Sequence, residues 1–156
     1  MTVEIERRFL LADDSWRKAA GEPLVLQQGY LSVEKEHTIR VRIIGSQAWL
    51  TLKGYISDMT RSEFEYEIPL AHAQAMMADM CPFKMEKYRY RVEFKGFVYE
   101  IDEYFGDNAP LIVAEIELPS EDTEFPKPSW LGKEITADGK FTNAYLSKHP
   151  YSSWTE

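Results

Sequence analysis

The sequence of 156 residues predicts a mainly β protein of the α+β class, an eight-stranded antiparallel closed barrel with a few flanking helices. Three observations carry that expectation. Eight segments alternate apolar and polar residues with a period of two, as strands do. On nearly every one, the polar face is filled by Glu, Asp, Arg and Lys rather than by small uncharged residues. Only one long stretch has helical spacing.

Taken in order, "VEIERRFLL" puts Glu4, Glu6 and Arg8 on one face and Val3, Ile5 and Phe9 on the other, with Arg7 the exception. "LVLQQGYLSV" follows, then "HTIRVRII" and "AWLTLKGYI", joined by a Gly-containing link that reads as a hairpin. There Arg40 and Arg42 share a face, and Lys53 points away from Leu52. "RSEFEYEIPL" sets Glu63, Glu65 and Glu67 against Phe64, Tyr66 and Ile68. The amphipathic helix comes next in "LAHAQAMMADMCP", where Leu70, Ala73, Met76, Met77 and Met80 recur at helical spacing until Pro82 stops the run. "KMEKYRYRVEF" opposes Lys87, Arg89, Arg91 and Glu93 to Tyr88, Tyr90, Val92 and Phe94. Glu100 and Asp102 in "FVYEIDEYF" oppose Tyr99 and Ile101, and Glu115 and Glu117 in "PLIVAEIEL" oppose Ile116 and Leu118. The remaining stretch is rich in Pro and Gly and carries a short helix over "TNAYLSK", ended by Pro150. One domain over residues 1–156 accounts for all of this, with 150–156 expected as a mobile tail and Trp130 and Trp154 as capping residues.

Composition narrows the function. A net charge of -8 argues against a nucleic-acid polymer or an anionic membrane as partner, since both call for a basic surface. The single Cys81 forms no internal disulfide, and no run approaches the roughly 20 apolar residues of a membrane span, so a cytoplasmic protein is expected. His37, His72 and His149 are scattered and read as surface or turn residues. In "KYRYRVEFK" the aromatics lie opposite the cations, which does not suit a single-stranded nucleic-acid platform, where both share one surface. Tyr30, Tyr88 and Tyr104 read as packed aromatics rather than base-stacking ones.

An open sheet with a solvated charged face is the ordinary account of any one of these strands. Eight in succession favour a closed barrel whose charged face is the lumen, because closure also removes exposed edges. Buried charges must then pair, stay hydrated or await a ligand. The basic set suits a small, densely anionic molecule, and the acidic set would repel it unless a divalent cation intervenes. Mg²⁺ and Mn²⁺ prefer oxygen ligands and are commonly shared between carboxylates and phosphate oxygens. A lumen lined with both sets therefore describes a metal-assisted polyphosphate site.

At this point the motifs resemble a known family. "EIERRFL" resembles the ExExK signature of the CYTH superfamily, or triphosphate tunnel metalloenzymes, with Glu4 and Glu6 in the Glu positions and Arg8 in place of Lys. The likeness continues in order through "QGYL", "IRVR", "TLK", "EFEYEI", "EKYRY", "EIDEY", "AEIEL", "GKEIT" and "GKFTN", almost the whole chain. It implies an eight-stranded tunnel that acts on triphosphates with Mg²⁺ or Mn²⁺, two divalent ions in all. By position, Glu4, Glu6, Glu115 and Glu117 are implied metal ligands, with Glu63, Glu65 and Asp102 as further candidates. Arg40, Arg42, Lys53, Arg89 and Lys140 are implied phosphate contacts, and Arg8 joins them with a planar fork where the family has a point donor. Lys87 is the implied positioner of the attacking water. Glu6 and Glu117 complete the catalytic set: one ion bridges phosphate to the Glu4/Glu6 region, and a second activates water beside Glu117.

The small bacterial members resemble this chain most. They imply hydrolysis of tripolyphosphate to pyrophosphate and phosphate. A monomer or a homodimer is expected, the latter because a partner would cover the apolar outer face of a small barrel. Thiamine triphosphatase, class IV adenylyl cyclase and a non-catalytic polyphosphate- or nucleotide-binding module are the alternatives.

Overall fold

A computed structural model describes residues 2–154, in which the strands form one antiparallel sheet. They are β1 (Val3–Leu11), β2 (Leu24–Glu34), β3 (His37–Ile44), β4 (Gln47–Tyr55), β5 (Thr60–Ile68), β6 (Phe83–Phe94), β7 (Phe97–Tyr104), β8 (Ile112–Glu117) and β9 (Leu131–Glu134). Their order is β5-β4-β3-β2-β6-β7-β8-β1-β9, and a further pairing of β5 with β1 closes the first eight into a barrel. All eight expected strands are present. The β3–β4 link is tight because Gly45 adopts a φ of 60°, which suits the right-handed twist of a two-residue hairpin.

β1 holds the barrel shut. Its first residues, Val3 to Ile5, pair with β5, while Glu6 to Leu10 pair with β8 on the other edge. Where β5 leaves, the short β9 takes its place, with Phe9 opposite Glu134 and Leu11 opposite Leu131. β9 has no counterpart among the eight strands expected from alternation. Its fit depends on Gly132, where a Cβ would lie 2.8 Å from the Leu10 carbonyl oxygen.

Apolar packing covers the outside and fills part of one end. On the outer face, Phe9, Tyr99, Ile116 and Trp130 surround the fully buried Trp16. Helix α1 (Leu70–Asp79) ends three residues short of Pro82 and lays Ala73 over Val41, Ile43 and Ala48. The third cluster lies on the other face of the sheet. Met85 pairs with Gln28, Tyr104 with Lys87 and Val113 with Asp102, so these apolar side chains share the face that carries the charges. Ile135 and Leu146, the latter from helix α2 (Asn143–Lys148), pack on them and fill the β6–β8 side of that end of the barrel.

The tail expected over residues 150–156 forms a 3-10 turn at Tyr151–Ser153. Beyond it, Trp154 packs edge-on to Phe141 and Tyr151 and donates from Nε1 to the His149 carbonyl at 3.0 Å. Thr155 and Glu156 lie outside the described residues. Among the described residues no helix is long and apolar enough to cross a membrane.

Candidate active site

Alternation positions the charged side chains, since cross-strand partners share a face. On β1 the register sets Glu4 opposite Arg61, Glu6 opposite Glu117 and Arg8 opposite Glu115. On β3 to β5 it sets Arg40 against Thr51, Thr51 against Glu65, and Lys53 against Glu63. These residues surround a tunnel cavity of about 180 Å³. Its wall sorts by charge in part, with Arg8 added on β1 and Lys53, Arg61, Glu63 and Glu65 mixed on β4 and β5. β3, β2 and β6 present Arg40, Arg42 and Arg89 around Tyr30, whereas β7, β8 and β1 present Glu100, Glu115, Glu117, Glu6 and Glu4.

Many of these groups are already paired. Lys53 Nζ lies 2.8 Å from Glu4 Oε1 and 3.6 Å from Glu63 Oε2. Arg89 reaches Asp102 at 2.8 Å, Glu115 at 3.2 Å and Glu100 at 3.5 Å. Arg40 donates to Thr51 at 3.2 Å, and Thr51 donates in turn to Glu65 at 2.9 Å. Arg42 Nε donates to Gln28 Oε1 at 2.8 Å, and Arg8 lies 3.2 Å from Glu6 Oε1. Arg8 also donates to the Thr136 carbonyl at 3.3 Å, which ties the tunnel wall to the C-terminal segment.

The pairing leaves an excess of each sign. Glu6 faces Glu117 and Glu100 faces Glu115 directly across strands, an arrangement of like charges that is destabilising. Burial, then Glu115 and Glu4, push the Glu6 carboxyl well above the usual carboxylate range. Glu63 and Glu117 are raised by burial and then by Glu4. Glu4 behaves oppositely: burial would raise it, but Lys53 dominates and brings it to about 2. Across the cavity, burial and the neighbouring Arg40 and Arg89 lower Arg42 to about 9. The Nε atoms of Arg8 and Arg40 are buried without a hydrogen-bond partner. A cation beside Glu6 and an anion beside the arginines would each relieve these strains.

The donor set suits a divalent ion, being all-carboxylate and in surplus. Among the described residues no three His, Cys, Asp or Glu side chains converge into a ready-made cage. Glu4 is turned to Lys53 and Glu115 to Arg89, so ion binding would exchange those partners.

Of the expected site residues, Glu4, Glu6, Arg8, Arg40, Arg42, Lys53, Glu63, Glu65, Arg89, Glu115 and Glu117 line the tunnel together. Asp102 does not. It is fully buried behind Arg89, with Oδ1 accepting from Arg89 Nε at 2.8 Å and Oδ2 accepting from Lys87 Nζ at 2.6 Å. In this structure it is a counter-charge rather than an open ligand. Lys87 is equally buried and also donates to Asn143 Oδ1 at 3.0 Å, and burial lowers it to about 8 against the pull of Asp102. Lys140 borders an adjoining chamber, its ammonium 5.3 Å from the Trp154 ring. The structure adds Arg61, Glu100, Tyr30, Thr51 and Asn143 to the wall. Arg61 and Glu100 carry a sequence signal, since they continue the inward alternation of Glu63 and of Asp102. Asn143 carries no alternation signal, only its place at the end of "GKFTN", and the folding back of the C-terminal segment is what brings it to Lys87.

The comparisons with known proteins agree with this geometry. The CYTH domain model matches residues 2–145. An inorganic triphosphatase of Acetivibrio thermocellus is 39% identical over 157 residues, covering 100% of both chains. An inorganic triphosphatase of Nitrosomonas europaea is 32% identical over 149 residues, 93% of this chain and 97% of that one. A solved inorganic triphosphatase superposes with a TM-score of 0.65 at 31% identity, covering 92% of this chain and 96% of its own. A Hippeastrum protein described as a putative adenylyl cyclase with a dominant triphosphatase activity shares the fold, with a TM-score of 0.57 at 15% identity over 77% of this chain and 80% of its own.

Proposed function

The chain belongs to the CYTH domain family, and from that premise we propose that it hydrolyses inorganic triphosphate, taking up one water and releasing pyrophosphate and orthophosphate. The observation that carries this is a tunnel lined by both signs of charge, arginines on β3 and β6 facing carboxylates on β7, β8 and β1, with Arg8 also on β1. The size of the tunnel agrees: about 180 Å³ is less than the roughly 300 Å³ at which pockets begin to take drug-sized organic ligands.

Phosphoanhydride hydrolysis needs positioning and charge neutralisation more than a protein nucleophile. Arg40, Arg42, Arg89 and Lys53 would hold the phosphate oxygens, with Arg8 at the end of the row. Among the described residues the Nε atoms of Arg8 and Arg40 are buried donors without a partner, which adds to the unmet cationic character of this wall. Glu4, Glu6, Glu115 and Glu117, with Glu63 and Glu65 beside them, would hold two ions of Mg²⁺ or Mn²⁺. When bound, such ions neutralise phosphate oxygens and lower the pKa of bound water. Glu117, exposed and with its carboxyl raised, would take the proton of the attacking water. Lys87 and Asp102 would orient Arg89 and Asn143 from behind the wall.

Phosphate release from tripolyphosphate, thiamine triphosphate, ATP and pyrophosphate, each with Mg²⁺, Mn²⁺ or chelator, tests this. Tripolyphosphate should be the preferred substrate, and chelator should abolish its turnover. Absence of metal-dependent release from all four would leave a binding module, and a cyclic product from ATP would make the protein a cyclase.

A further inference from the structure

On the side of the C-terminal segment the tunnel meets a second chamber, of about 500 Å³. The two cavities share Arg8, Thr38, Arg61, Thr142 and Ala144, which therefore form the ring between them. Strand direction fixes this end of the barrel. Thr38 and Arg61 stand near the starts of β3 and β5, and Tyr55, on the chamber wall, ends β4. The opposite mouth lies at the other strand ends, where β5 presents Glu65 and Glu67 and β8 presents Glu117, all exposed.

The chamber carries Lys35, Arg61, Lys140 and Lys148 as well as Arg8. Among the described residues, none of those first four has a carboxylate oxygen within 4.0 Å. Lys35 and Lys140 sit over aromatic rings instead, 3.9 Å from the centre of Tyr55 and 5.3 Å from that of Trp154. Three acids share the chamber wall, Glu34, Asp58 and Asp138; Asp58 accepts from the Tyr55 hydroxyl at 2.8 Å, and Asp138 from the Lys140 amide at 3.1 Å. In a chain of net charge -8, a cavity wall on which five cations outnumber three carboxylates is a local reversal of sign. Of the five, Arg8 stands in the ring itself, only 4% exposed, with its Nε unpartnered.

We propose that this chamber is the entry port and outer binding site for the polyanionic substrate. A linear phosphate chain is captured by Lys35, Lys148 and Arg61 and passes the ring at Arg8 into the tunnel. The carboxylates of the opposite mouth turn it away. This rests on the triphosphatase function proposed above. Fixed charge at a low-dielectric mouth raises the association rate of an opposite charge by about 10- to 1,000-fold, and the gain falls steeply with ionic strength. At about 0.01 M salt the field reaches roughly 30 Å, and at about 1 M only roughly 3 Å.

The test compares charge reversal at the two mouths. Steady-state phosphate release from tripolyphosphate is measured at low and high salt for the double variant Lys35→Glu/Lys148→Glu, for Lys35→Arg/Lys148→Arg, and for Glu67→Lys. The Glu pair should lower kcat/KM about tenfold or more at low salt, with kcat within about twofold of the parent protein and the deficit shrinking as salt rises. The Arg pair should retain kcat/KM, and Glu67→Lys should leave it within about twofold. Equal losses from both mouths, a deficit indifferent to salt, or no deficit would each overturn the port. Stopped-flow association of tripolyphosphate, followed by intrinsic fluorescence without turnover, reads the same variants independently. Were the parent protein to release no phosphate at all, the hydrolase function would fail on that result, while the association rates would still decide the port.

Discussion

Asp102 and Glu6 are carboxyls buried in one tunnel wall, yet their neighbours drive them in opposite directions. Burial would raise Asp102, but Arg89 and Lys87 outweigh it and hold the carboxyl well below the usual range. Such a group contributes stability that is full above its ordinary value of 3.8 and is lost as pH falls below it. Asp102→Asn would leave two buried cations facing each other, so it should cost about 3–5 kcal/mol. It should also flatten the acid limb of stability, and urea unfolding as a function of pH checks both; an unchanged acid limb would remove Asp102 from this role. Glu6 is the converse. Burial and then Glu115 and Glu4 raise it, so the metal-free protein should lose stability as pH rises through the folded value, above 4.5. Glu6→Gln should therefore stabilise the metal-free protein by up to about 1 kcal/mol, or roughly 2–4 °C, while abolishing turnover. A variant that melted lower, or that kept its activity, would contradict the assignment. Sequence parity put both residues on the lumen face. Parity could not tell ligand from counter-charge, because that depends on which cations lie opposite and diagonal on the adjacent strand, as Arg89 and Lys87 do to Asp102.

At the scale of elements, the long strands were legible because each alternates cleanly, and α1 because its apolar residues recur at helical spacing. β9 was not. Its four residues, "LGKE", are too few to show a period, and they follow a stretch rich in proline. Nor does sequence show that β1 divides one edge between β5 and β9. Gly132 is what permits the second half of that arrangement, since a Cβ there would come within 2.8 Å of the Leu10 carbonyl oxygen and 3.1 Å of the Ala12 nitrogen. Those are backbone atoms and cannot swing aside. Gly132→Ala should destabilise the protein by about 1–3 kcal/mol, measured as a shift in the denaturant midpoint. Hydrogen exchange should rise first at Leu11, Ala12 and Ile135, whose surroundings β9 supports; loss spread evenly over the barrel would show instead that β9 is no separate unit.

At the scale of the whole molecule, closure followed from eight charged faces that had to be turned inward, whereas the apolar filling at one end and the second chamber did not follow. Both depend on the course of the C-terminal segment, whose Pro and Gly content carries no periodic signal. The closed tunnel has a thermodynamic consequence that either charged wall alone would lack. Tripolyphosphate entering by itself gains Arg40, Arg42 and Arg89 but meets the carboxylates of β1 and β8, and a divalent cation by itself meets the converse. Each should therefore bind weakly alone and tightly in the other's presence, a coupling of about 1–3 kcal/mol that acts equally in both directions. Thermal melting reads this directly, using Glu6→Gln or Ca²⁺ to slow turnover. Saturation to about 100 times the Kd adds about 2.7 kcal/mol of stability, or roughly 5–11 °C at about 2–4 °C for each kcal/mol in a domain of this size. The shift with metal and tripolyphosphate together should exceed the sum of the separate shifts, and tripolyphosphate should lower the metal concentration needed for half the effect. Additive shifts would mean that the two charges bind apart from one another, and the tunnel would then not be a single metal–polyphosphate site.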